Sequence, residues 1–123
     1  ELANYLSKCD MIDKIYYPGL PTHKGHDIAK DQMDGFGAVI SFELNKKIDP
    51  ETFLKSLEMI NPSMSFAGVE STMLSPAETS HYLLKPEDRL AQGITDNLIR
   101  FSVGIEDVPD IVNDFEQALN KCK

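Results

Sequence analysis

The sequence predicts a small two-layer α/β (α+β) domain, a mostly antiparallel sheet with helices covering one of its faces. Three observations carry that prediction. Ile99, Phe101 and Val103 alternate with Arg100, Ser102 and Gly104, the period of a strand with one apolar face. After Asp107, the residues Val108, Ile111, Val112, Phe115, Ala118 and Leu119 share one side of a helix. Shorter strand-like and helical stretches alternate through the rest of the 123 residues, enough for one core and one domain. No internal repeat, low-complexity segment or linker interrupts the pattern.

Residues 1–9 read as the end of a helix, with Leu2, Tyr5, Leu6 and Cys9 at helical spacing. An opening in mid-helix, without Met, suits a fragment or an excised domain. The next stretch becomes strand-like at Ile15, and Pro18-Gly19 stops it. Thr22 is placed as the N-cap of a helix from about His23 to Met33, with Ile28, Ala29 and Met33 facing inward. Gly35-Phe36-Gly37 breaks that helix. A strand follows, with Ala38, Ile40, Phe42 and Leu44 on one face and Val39, Ser41 and Glu43 on the other. Asp49-Pro50 is an N-cap followed by proline in the first helical turn. Phe53, Leu54, Leu57 and Ile60 continue that helix as an apolar stripe, and Asn61-Pro62-Ser63 ends it. Residues 64–71 are rich in small side chains that let backbone approach something closely. Thr72-Met73-Leu74 is a short strand, and the run from Ser75 to His81 is loop. Pro86 begins a short helix to about Gln92, with Gly93 as its stop.

Twenty acids against twelve bases give a net charge of −8, the opposite of a nucleic-acid footprint. The apolar runs are too short to span a membrane, and no signal peptide is evident. Cys9 and Cys122 form neither a disulfide framework nor a zinc spacing. They read as reduced thiols in a cytoplasmic protein, and as neighbours if the terminal helices pack together.

Candidate chemistry is sparse. His23, His26 and Asp27 could meet a metal on one helix face, although a solvated first turn explains them as well. Ser80-His81 lacks the acid of a triad. Gly35-Phe36-Gly37 is a tight turn, too short for a phosphate loop. Glu70 and Glu106 could serve as general acids, while Glu106 also suits the start of the last helix. Met59, Met64 and Met73 read as core filling. Arg100 stands out because a guanidinium has no neutral form and must find an anion or water. On a rigid strand it suits a bidentate clamp on a carboxylate. The plainer reading, which periodicity alone favours, pairs it with one of the many acids on a solvated sheet face.

Five stretches in register change this picture. Tyr16-Tyr17-Pro18-Gly19-Leu20-Pro21-Thr22-His23 resembles the YPGL-x-x-H segment of the Cys/Met-metabolism family of pyridoxal-phosphate (PLP) enzymes. Gly35 to Glu43 is similar to its GFG-strand-SFE segment, Ser65 to Ser71 to its SLGGVES, and Ser80-His81 to its Thr-His or Ser-His. Gly93 to Asp107 matches GI-x-D-x-LIR-x-SVGIED. The family includes cystathionine γ-synthases, cystathionine β- and γ-lyases and methionine γ-lyases.

The resemblance implies the C-terminal small domain of a fold-type I PLP enzyme, with residues 1–10 the end of an inter-domain helix. The N-terminal PLP-binding domain, with its Schiff-base lysine, is absent from this chain. PLP supplies the electron sink in the intact enzyme, and the protein must hold and orient it. By this resemblance Arg100 grips the substrate α-carboxylate and Ser65 lies beside it. Met64 stands where many γ-synthases and γ-lyases carry Glu, which suits a β-lyase or a broader C–S lyase. Phe66-Ala67 replaces the usual Leu-Gly and alters the pocket. The implied partners are an amino-acid substrate such as cystathionine and the N-terminal domain, within a homotetramer, with neither nucleic acid nor membrane. Three other readings remain: a cystathionine γ-synthase or γ-lyase of the same family, a stand-alone anion-binding module without catalysis, and a structural domain whose Arg100 is tied up in a salt bridge.

Overall fold

The structure is a computed structural model that describes residues 1–123. Five strands form one sheet: β1 (Ile12–Tyr16), β2 (Val39–Leu44), β3 (Asn61–Pro62), β4 (Thr72–Leu74) and β5 (Leu98–Ser102). Their order across the sheet is β1-β2-β5-β4-β3. Every pairing is antiparallel except β3 with β4, so the sheet is mixed and mostly antiparallel. The helices are α1 (Leu2–Leu6), α2 (His26–Gln32), α3 (Pro50–Ser56), α4 (Pro86–Ala91) and α5 (Val108–Lys121).

The alternation read from the sequence decides which side of the sheet is covered. Ile40, Phe42 and Leu44 of β2 and Ile99 and Phe101 of β5 are buried against one layer of helices. Leu2, Ala3 and Leu6 come from α1, Phe53 from α3, and Ile111, Phe115, Ala118 and Leu119 from α5. Phe115 is the hub: its ring meets Phe53 at 5.2 Å, Phe42 at 5.6 Å and Tyr5 at 6.3 Å, all edge-on. That geometry sets the positive edge of one ring against the negative face of the next.

Four local expectations need correction. First, α2 starts at His26 behind Gly25, whose φ of 93° only glycine adopts without strain, so Thr22 is not its cap. No residue of α2 is buried and Ile28 is 63% exposed, because the helix stands away from the core layer. Second, α3 stops at Ser56, and Leu57 is already extended. The amides of Glu58, Met59 and Ile60 turn instead to the Asp114 carboxylate, at 2.8, 3.0 and 2.7 Å. Ile60 is therefore core without being helical. Third, Asn61-Pro62 does more than end a helix: it forms the edge strand β3, where Pro62 suits an edge. Fourth, Ala38 precedes β2 and is exposed, although its carbonyl accepts the Val103 amide at 2.8 Å.

Asp49 does cap α3, its carboxylate accepting the Thr52 amide at 2.8 Å, and Gly93 turns the chain after α4 at φ 78°. Met73 is fully buried, but Met59 and Met64 are exposed and do not fill the core. Both cysteines are free and half-buried. No helix is long and apolar enough to cross a membrane.

Candidate functional site

The second face of the sheet carries no helix layer. The register aligns Tyr16, Ser41, Arg100 and Leu74 in one row across β1, β2, β5 and β4. Arg100 thus sits on the central strand of that row. The segment 63–71 folds over this face beside it. The Nη2 group of Arg100 donates to the carbonyl oxygen of Met64 at 2.8 Å and to that of Ser65 at 3.4 Å. Its Cζ lies 4.9 Å from the centroid of the Phe66 ring.

No acid pairs with Arg100. The three ion pairs of the protein are Lys55–Glu51, Arg89–Asp96 and Lys121–Glu58. Glu43, on the same sheet face, is taken by the Tyr16 hydroxyl at 2.5 Å. That hydrogen bond, helped by burial, pushes the Tyr16 phenol up to about 12. The plainer expectation for Arg100, a surface salt bridge, is therefore wrong. Its positive charge meets only carbonyl dipoles and an aromatic face, and its Nε is buried without a partner. A cation held this way has donors left for an anion from outside.

The structure brings Arg100, Met64 and Ser65 together, but through backbone. Ser65 offers its carbonyl, which also accepts the Thr72 hydroxyl at 2.6 Å, while the side chains of Met64 and Ser65 remain exposed. The cover is braced from below. The Ala67 amide donates to Ser102 Oγ at 3.0 Å, and Ala67 itself adopts φ 58°. A Cβ is strained in that left-handed region, and glycine is not. Ala67→Gly is expected to raise stability by about 1 kcal/mol, read as a higher denaturant midpoint with an unchanged slope.

The sequence motifs meet in pairs. Ser71 donates its amide and its hydroxyl to the two oxygens of Glu106, at 2.7 and 2.8 Å. The Ser71 Oγ accepts the Gly104 amide at 2.9 Å, and the Ile105 amide donates to the Val69 carbonyl at 2.9 Å. A side chain at Gly104 would collide with the Val69–Glu70 backbone, which explains glycine there. Burial alone would raise the Glu106 carboxyl, but bonds from the Ser71 amide, its own amide and the Ser71 hydroxyl outweigh that and hold it low. Glu106 thus clasps two loops together through Ser71.

At the other end, Tyr17 donates its hydroxyl to the Gly37 carbonyl at 2.9 Å. His26 Nδ1 lies 2.7 Å from the Pro18 carbonyl, and its ring stacks on Phe36 at 5.5 Å. No group of three His, Cys, Asp or Glu residues is placed to hold a metal, so the His23–His26–Asp27 possibility is not realised. Ser80 and His81 bond only to each other through their side chains, at 2.8 Å.

The family model described as "Cys/Met metabolism PLP-dependent enzyme" matches residues 1–120. The chain belongs to that family. It is 44% identical over 122 residues to an L-methionine gamma-lyase of Fusobacterium nucleatum subsp. polymorphum, covering 98% of this chain and 31% of that protein. It is 41% identical over 121 residues to a cystathionine beta-lyase of Lactococcus lactis subsp. cremoris, covering 98% and 32%. Among solved structures, cystathionine gamma-lyase from Lactobacillus plantarum, complexed with L-serine, superposes with a TM-score of 0.92 at 41% identity. That match covers 97% of this chain and 31% of the lyase. The chain therefore spans about a third of the length of the relatives it matches. Lyases of the γ and β types stand at nearly equal identity, so likeness alone does not select the reaction.

The Cys/Met-metabolism family is PLP-dependent, yet the residues here do not form a holder for PLP. Every lysine of the chain is exposed, whereas a Schiff-base lysine is activated by desolvation in an apolar pocket or beside another cation. What the chain does present is a braced cation on the sheet face that carries no helix layer.

Proposed function

We propose that residues 1–123 are the C-terminal, substrate-carboxylate-binding domain of a PLP-dependent C–S lyase acting on sulfur amino acids, of the cystathionine β-lyase kind. In this reading residues 1–10 end an inter-domain helix, and the PLP-holding domain lies outside this chain. The observation that carries it is Arg100: a strand-borne guanidinium on the sheet face without a helix layer, paired with no acid and steadied by the carbonyls of Met64 and Ser65. Arg100 binds the α-carboxylate, Ser65 lies beside it, and the Met64 side chain, 61% exposed, forms an apolar wall near the substrate's distal end. Fixing the carboxylate orients the amino acid for reaction at its Cα–H bond. The two half-buried free thiols suit a reducing compartment such as the cytoplasm. The intact enzyme is taken to be a homotetramer, as the resemblance implies.

A second reading, γ-elimination or γ-replacement, draws support from the 44% identity to a methionine gamma-lyase. The keto acid released from L-cystathionine separates the two. The full-length enzyme with PLP is expected to yield pyruvate, the β-elimination product, and the isolated 1–123 chain to yield none. Release of 2-oxobutyrate would move the assignment to a γ-lyase. Cystathionine made from cysteine and an activated homoserine ester would move it to a γ-synthase. Silence in every assay would leave a non-catalytic module, and turnover by the isolated chain would overturn the division of labour.

A further inference from the structure

We propose that Phe66 is a positioning residue for Arg100: its ring lies under the guanidinium carbon, steadies the head group where it stands and leaves the outward donors for an incoming carboxylate. The inference rests on the reading of Arg100 as the carboxylate clamp and assigns a role to a residue that reading leaves unused.

Three consecutive residues surround the cation, and a fourth sets the backbone behind them. Met64 and Ser65 present carbonyl oxygens to Nη2, Phe66 presents its ring, and Ala67 reverses the chain. The carbonyls satisfy one nitrogen only. They restrain translation of the head group but leave rotation about the long side chain. A ring 4.9 Å from Cζ adds a second point of attachment on the head group, since the cation is drawn to the negative face of the π-system. Phe66 is 61% exposed and buries little apolar area of its own, so core packing does not explain its place.

The turn that delivers the ring is strained. Ala67 holds φ 58°, and its amide is pinned to Ser102 Oγ, two residues along the same strand as Arg100. Strain of this kind persists only where surrounding bonds over-determine the backbone. Here those bonds tie ring and guanidinium to one strand, so the two move as a unit. A leucine at residue 66 would keep apolar bulk but would lack the quadrupole.

The test uses the full-length enzyme and L-cystathionine or L-methionine, whichever it turns over. Phe66→Leu is expected to raise KM about two- to fivefold with kcat within about twofold, the scale of an exposed cation–π contact. Phe66→Tyr, which keeps the ring, is expected to restore the wild-type KM. In an Arg100→Ala background the Phe66→Leu change is expected to have no further effect. An unchanged KM in Phe66→Leu, a Tyr variant no better than Leu, or an undiminished effect without Arg100 would each overturn the role of Phe66. If Arg100→Ala itself left KM unchanged, the carboxylate-clamp reading beneath it would fall instead.

Discussion

Arg100→Ala in the full-length enzyme is expected to weaken use of the amino-acid substrate by about 10- to 150-fold in kcat/KM. The figure follows from the loss of charge-assisted hydrogen bonds worth about 1.5–3 kcal/mol. Little of this loss should come from unfolding. Arg100 makes no ion pair within the chain, and its side-chain bonds go to two loop carbonyls that can turn to water. Arg100→Lys keeps the charge but loses the planar fork, so it is expected to recover only part of the activity. The check is steady-state kinetics beside a denaturation curve. Undiminished kcat/KM in Arg100→Ala would sink the carboxylate assignment, and parallel loss of stability and activity would make Arg100 a structural residue.

The largest expected effect on stability lies far from Arg100. Asp114→Ala should cost about 3 kcal/mol, because one buried carboxylate serves three successive amides, those of Glu58, Met59 and Ile60, and also Gln117 Nε2. With the acid gone, the buried Ile60 amide keeps no partner and the chain after α3 loses its anchor to α5. Burial would by itself raise this carboxyl, but the three amide bonds and Gln117 outweigh it and hold Asp114 below the ordinary aspartate range. The sign of the pH effect follows. A carboxyl whose folded value lies below its unfolded value adds stability that is complete above the unfolded value, near 3.8. That stability fades as pH falls through the folded value. The gap in urea midpoint between wild type and Asp114→Asn should therefore be constant near neutrality and narrow only below about pH 4. A gap that narrows nearer pH 6 would point to a different group.

Asp114 also shows where sequence reading stops. It stands on the same helical face as Ile111, Phe115 and Ala118, and an acid within an apolar stripe was the available signal. Periodicity says that such a residue faces inward; it does not say that three amides wait there. Ser71 and Glu106 repeat the lesson. Each lies in a motif readable by resemblance, yet the clasp between them joins residues 35 apart in the chain. Reading Glu106 as a helix-start charge or a general acid used only its neighbours in sequence. In α2 the apolar Ile28 and Met33 suggested an inward face, but the helix has no layer to pack on.

By itself the sequence determined what depends on local period and on motif: the buried face of β2 and β5, the buried stripe of α5, the cap of α3, the sheet's mostly antiparallel character and membership of the PLP-dependent Cys/Met-metabolism family. It also placed Arg100 on the face opposite the core, since strand side chains alternate. Only the tertiary structure decided what meets each of those faces. Arg100 could have found any of twenty acids, and it found two carbonyls and a phenyl ring instead. The physical reason is that side-chain direction follows from the backbone of a few residues. The partner on the far side is set by register, by loop reversal at Ala67 and by glycine at residue 104, which act between segments distant in the chain.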